Sequence, residues 1–156
     1  MLRGYVETSV WGMVHPMQSA ALREATCDFL AECRRGVFQT HISDVVISEI
    51  QQASGGVQEE VLRWIAQLEP VIVEASPDVD ALAERFIAHG ILSPNRRADA
   101  RHVACAVVHG LDLLVSWNYR HIANVRRAEQ FHAVALLAGW PSTLSIHTPL
   151  EVLDWK

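Results

Sequence analysis

Lysine is nearly missing from this chain: Lys156 is the only one. A phosphorylatable receiver domain needs a lysine near its last strand and an acidic pair at its first, which argues against that class. Cysteine is scarce as well. Cys27, Cys33 and Cys105 make an odd set without a C-x-x-C pair, and buried reduced thiols are the reading that fits best. That usage predicts a reducing compartment. No run of about 18 apolar residues occurs, so no membrane span is predicted. The longest candidate, Ala133 to Ala138, is far too short. No secretory signal is visible, because MLRGYVETSV reads straight into a strand, and a cytoplasmic location is the expectation. The G-x-S-x-G elbow, the G-x-x-x-x-G-K-[ST] loop and the G-x-G-x-x-G turn are absent, which removes the common hydrolase and nucleotide-binding signatures. A positive balance is lacking too. Formal net charge is −5, so this is no polycation that coats nucleic acid. A nucleic-acid enzyme stays open, since its site can be acidic where it holds metal. Local basic clusters remain at Arg34-Arg35, at Arg96-Arg97 with Arg101, and at Arg120 with Arg126-Arg127; for each, a solvated helix face is the preferred reading.

What is present suits one domain spanning 1–156. Half of the 156 residues are apolar or aromatic and 20% are charged, enough for a real core. There are no repeats, low-complexity tracts or dividing linkers. Short strands alternate with longer helices. Leu2 to Val6 predicts a first strand, and Ala20 to Arg35 a helix stopped by Gly36. Val37 to Ile42 predicts a second strand, after which Ser43-Asp44 caps a helix through Val46, Ile47 and Ile50. Ser54-Gly55-Gly56 breaks it, and Val57 to Leu68 is amphipathic. Val71 to Val73 is the third strand, and Ser76-Pro77 opens a helix that ends at Gly90. A helix from about Asn95 to His109 leads to a fourth strand, Leu111 to Val115. A helix from about Val125 to Ala138, an edge strand at Leu144 to Ile146, and a capping box at Thr148 to Glu151 complete the order. Such alternation predicts an α/β fold, with a parallel sheet of about five strands covered by helices on both faces.

In such sheets, sites form outside the carboxyl ends of the strands. Glu7 follows the first strand, Glu49 lies in the first turns after the second, and Asp99 lies in the helix that leads into the fourth. Asn118 follows that fourth strand, in LLVSWN. Three carboxylates and an amide can therefore meet at one rim, where they repel unless a cation neutralises them. Oxygen ligands without clustered Cys or His suit Mg²⁺ or Mn²⁺ rather than Zn²⁺. Such an ion can hold a phosphate and activate water.

The segments YVETSV, ISDVVISEI, ADARHVACAVVHGLDLLVSWNYRHI and IHTPLEVL stand in an order and at distances that resemble the PIN domain. The last long segment is the most specific, and is similar to toxins of the VapC kind. The resemblance covers nearly the whole chain. It implies a three-layer α/β/α domain, frequent homodimers, and Mg²⁺- or Mn²⁺-dependent cleavage of RNA. In toxin-antitoxin pairs it implies a small antitoxin partner that blocks the site. Glu7 takes the place of a first acidic residue that is commonly aspartate, Glu49 the second and Asp99 the third. Asn118 stands where many members have a fourth aspartate.

Other uses of the same residues stay open. Thr8 and Ser9 could serve a metal water or a phosphate, or cap the next segment. Asn118 could be a turn residue, with Ser116 and Trp117 fixing that turn. His121 could touch phosphate, hold the Asn118 loop or simply pack. His102 falls one turn after Asp99, and a packed helix-face histidine is the preferred reading. Arg96 and Arg97 could meet RNA phosphates at the rim, and Trp11, read as a loop residue, could stack a base. The leading expectation is a metal-dependent endoribonuclease. Its rival keeps the fold but binds RNA or protein with weak or lost catalysis.

Overall fold

Gly4 shows how tightly the centre of the sheet is built: a β-carbon there would come within 2.6 Å of the Phe38 ring. The computed structural model describes residues 1–155. Gly4 belongs to β1 (Arg3–Val6), the middle strand of a five-stranded sheet in the order β3-β2-β1-β4-β5. The others are β2 (Gln39–Ser43), β3 (Val71–Val73), β4 (Leu113–Val115) and β5 (Ser145–His147). All four pairings are parallel. The helices are α1 (Thr8–Gly12), α2 (Ala20–Arg34), α3 (Asp44–Gln51), α4 (Gly55–Leu68), α5 (Pro77–Ala88), α6 (Arg97–Val108), α7 (Val125–Leu137) and α8 (Pro149–Leu153).

The chain moves outward from β1 through β2 to β3, then returns to the far side of β1 for β4 and β5. Right-handed crossovers run in opposite directions put their helices on opposite faces of the sheet. Accordingly α2 packs with α4 and α8, while α5 packs with α6 and α7. The result is the three-layer α/β/α arrangement that the alternation predicts. The fully buried side chains include Tyr5, Phe29, Ile42, Phe86, Leu114 and Phe131. Among the described residues, no helix is long and apolar enough to cross a membrane.

Several boundaries differ from the sequence reading, each for a local reason. The fourth strand starts at Leu113, because Asp112 turns its carboxylate back to the Arg3 amide at 2.7 Å. The second strand starts at Gln39, since Phe38 is buried beneath Gly4. α4 starts at Gly55: in a first turn the amides lack intrahelical partners anyway, so two glycines are tolerated there. α6 starts at Arg97, after a 3-10 turn over Pro94–Arg96. The short helix α1 replaces the loop expected after Glu7. It is capped by Glu7, whose side chain accepts from the Ser9 amide. Trp11 lies inside that helix, fully buried, with its indole N–H on the Val6 carbonyl at 3.0 Å. Base stacking by Trp11 is therefore excluded.

Candidate functional site

The two directions of travel part at β1, which makes its carboxyl end the topological switch point of the sheet. Open α/β sheets hold ligands at such a switch point. Glu7 is the first residue past β1, and Ser116, Trp117 and Asn118 follow β4 directly. Glu49 comes from α3 and Asp99 from the first turn of α6.

Glu7 is only 4% exposed, and a buried carboxylate needs donors. Its Oε2 accepts from the Ser9 amide at 3.1 Å, the Ser9 hydroxyl at 2.5 Å and the Ser116 hydroxyl at 2.8 Å. The same hydroxyls organise the end of β4. Ser9 Oγ accepts from the Trp117 amide at 2.9 Å, and Ser116 Oγ accepts from the Asn118 amide at 2.9 Å. The Trp117 indole N–H anchors on Thr26 Oγ1 at 2.8 Å. The Ser-Trp-Asn turn is thus a clamp around Glu7.

Glu49 Oε1 receives two donors, Thr8 Oγ1 at 2.9 Å and His102 Nε2 at 2.5 Å. Asp99 Oδ2 receives the Asn118 amide N–H at 3.3 Å. Asn118 Oδ1 is turned to the His121 backbone N–H at 3.0 Å. In this geometry Asn118 offers nitrogen rather than oxygen to its carboxylate neighbour, and its oxygen holds the turn that carries His121.

A common pattern results. Each carboxylate commits one oxygen to the protein, and among the described residues no hydrogen bond reaches Glu7 Oε1, Glu49 Oε2 or Asp99 Oδ1. Those free hard-oxygen donors fit Mg²⁺ or Mn²⁺. Among the described residues, no group of three or more His, Cys, Asp or Glu side chains is arranged to hold a metal ion. Mg²⁺ does not require such a group, because it keeps several waters and takes one or two carboxylates directly.

The electrostatics have the same character. Burial, then the negative charge of Glu7, pushes the Asp99 carboxyl above its usual value; His102, His121 and Arg96 oppose this. For Glu49, burial pushes upward, but the hydrogen bond and charge of His102 outweigh it and leave the group lowered. For His102, burial favours the neutral ring, yet the bond to Glu49 and the charges of Glu7, Glu49 and Asp99 win and raise it. Lost hydration and then Arg96 lower His121. Burial, with Cys105 beside it, pushes the Tyr5 phenol well above its ordinary range, so it remains a neutral hydroxyl.

Hydrogen bonds therefore join Glu7, Ser9, Asp99, Ser116, Asn118 and His121 in one group, and Thr8 and Glu49 in a second group with His102. Arg96 acts on both Asp99 and His121. Arg97 faces elsewhere, its guanidinium on Glu84 of α5 at 2.5 Å. The sequence reading missed two members. His102 is packed, as preferred, with 0% exposure, but it also binds Glu49 and lies 3.8 Å from Glu7 Oε1. The signal was its place one turn after Asp99. Tyr5, whose hydroxyl meets His102 Nδ1 at 2.6 Å, gave no signal beyond that of a core strand residue.

No family model matches the chain, and no curated protein matches its sequence. Its fold is similar to a chain in the crystal structure of VapBC2 from Rickettsia felis bound to a DNA fragment from their promoter. The TM-score is 0.57, covering 93% of this chain and 98% of that one. Identity is 12%, so this likeness shows the fold alone: a PIN-like α/β/α sandwich.

Proposed function

We propose that this chain is a PIN-family endoribonuclease that depends on Mg²⁺ or Mn²⁺ and acts as the toxin of a toxin-antitoxin pair in the cytoplasm. The observation that carries the reading is the convergence of Glu7, Glu49 and Asp99 at the strand ends, each with one oxygen left free. The raised Asp99 carboxyl supports it, because like charges crowded at a rim call for a cation. Glu7, Glu49 and Asp99 would hold the ion, with Asn118 joining only if its amide turned its oxygen inward. When bound, the ion supplies charge to polarise a phosphodiester and to acidify the attacking water.

The chain's own groups do the rest. Ser9 and Ser116 keep Glu7 fixed. Thr8 and His102 keep Glu49 fixed. Arg96 and His121 stand beside Asp99, where an RNA phosphate would take their N–H donors. The structural neighbour comes from VapBC2 bound to a promoter DNA fragment, which supports an antitoxin partner here by analogy of fold. An apolar cleft between α3, α4 and β3, lined by Ile47, Leu62, Ile65 and Ile72, offers a surface for such a partner or for a second copy. Leu62 and Ile72 are 55% and 61% exposed, high for large apolar side chains brought together in one cleft.

A second reading rests on Asn118: with its oxygen on the His121 amide, the rim has one acidic ligand fewer, as in a binding module with weak catalysis. The two separate in one assay. Purified protein, free of any bound partner, is incubated with structured and unstructured RNAs in Mg²⁺, Mn²⁺ or EDTA. Cleavage that needs the ion supports the nuclease. Metal-independent RNA retention without cleavage supports the binding module.

A further inference from the structure

Behind Glu49 runs a file of buried polar groups, of which the nuclease reading uses only His102. Tyr5, Ser43 and His102 are each 0% exposed. Ser43 Oγ lies 2.8 Å from Tyr5 Oη, Tyr5 Oη lies 2.6 Å from His102 Nδ1, and His102 Nε2 lies 2.5 Å from Glu49 Oε1. Ser43 Oγ also accepts from the Val45 amide at 3.1 Å, at the start of the helix that carries Glu49. The file therefore leaves β2, crosses β1 and α6, and returns to α3. A core position needs only an apolar ring at residue 5, and buried hydroxyls and imidazoles are costly unless fully satisfied. Here both ring nitrogens of His102 are satisfied.

We propose that Tyr5 and His102 are positioning residues that hold the Glu49 carboxylate at the rim by its Oε1, leaving Oε2 free for the ion. The inference rests on the reading of Glu49 as a metal ligand. The chemistry of the file gives it a direction. Ionised Glu49 can only accept, so Nε2 must carry a proton. A neutral ring then has a bare Nδ1, which accepts from the Tyr5 hydroxyl, while a charged ring donates from Nδ1 to the same oxygen. A hydroxyl serves both cases, and Ser43 follows it in either sense. Phenylalanine would serve neither. Groups behind a metal ligand orient it in the same manner when the ligand is a histidine, and their loss typically lowers metal affinity about ten- to hundred-fold.

The test uses the full chain. In EDTA, long-range ¹H–¹⁵N spectra of the wild type should show His102 protonated on Nε2. A His102 ring protonated on Nδ1 alone would overturn the inference without reference to any metal. Mn²⁺ titration by calorimetry follows. Tyr5→Phe, which keeps the core volume, and His102→Leu should each weaken binding about tenfold or more. His102→Gln should restore part of it, because its amide N–H can still reach Glu49. If Asp99→Asn loses Mn²⁺ while Tyr5→Phe and His102→Leu bind as the wild type does, the positioning role is wrong and the site reading stands. If the wild type takes up no Mn²⁺, the site reading fails, and the positioning role goes with it.

Discussion

Ser116 Oγ donates to Glu7 Oε2 across 2.8 Å, although the two residues are 109 positions apart. This bond ties the ends of β1 and β4 together beneath the candidate site. Ser116→Ala removes it and also removes the acceptor for the Asn118 amide. A buried carboxylate short of a donor costs about 1–3 kcal/mol. Urea denaturation of the metal-free variant should show that loss, and an unchanged midpoint would mean that Ser9 alone satisfies Glu7.

Asp99 should be a burden without metal. Its folded value is raised, so the stability associated with the group is fully present below its ordinary value of 3.8 and is lost as pH rises through the raised one. At neutral pH, Asp99→Asn should therefore melt higher than the wild type in EDTA. Mn²⁺ should then raise the melting temperature of the wild type and leave that of the variant unchanged. A variant that melts lower in EDTA would show that the carboxylate is held for structure.

The pair of Glu49 and His102 sets a pH window. His102 is raised from 6.5, so its contribution is present below that value and declines as pH rises through the folded one. Glu49 is lowered from 4.5, so its contribution is present above that value and declines as pH falls through the folded one. Metal-free protein should lose stability on moving from pH 6 to the alkaline side, and His102→Leu should flatten that limb. Denaturation midpoints measured across pH in EDTA check this. Equal slopes in both proteins would place the titration elsewhere.

Trp11 should matter to the core and leave RNA untouched. It is fully buried beneath the site, with its N–H on the chain at Val6. Trp11→Ala should cost about 3–5 kcal/mol in an unfolding titration. Trp11→Phe should fold and retain the RNA affinity of the wild type in a filter-binding assay. A selective loss of RNA affinity in that variant would restore a contact role for the indole.

The alternation of strands and helices was legible because short apolar strands such as Val71–Val73 sit between helix stops such as Gly36 and Gly90. Strand ends also marked Glu7, Glu49, Asp99 and Asn118 as a group, since parallel sheets gather such positions at one edge. Hydrogen-bond direction was not legible. Sequence gives Asn118 an oxygen and a nitrogen but cannot say that the His121 amide claims the oxygen. Arg97 and Arg96 are adjacent in the chain, yet the geometry of a helix start sends Arg97 to Glu84. α1, at five residues, is too short for periodicity to reveal. The union of Tyr5 and His102 spans 97 positions and involves residues that each pass for core.

The central claim is that Glu7, Glu49 and Asp99 make a metal-dependent nuclease. The most direct measurement is cleavage of one susceptible RNA by wild type and Asp99→Asn, side by side, in Mg²⁺ or Mn²⁺ and in EDTA. The account predicts cleavage by the wild type with metal, none in EDTA, and a loss of at least about a hundredfold in the variant, as expected for removing a group that stabilises the transition state electrostatically. Equal cleavage by the two proteins, or cleavage that continues in EDTA, would contradict it.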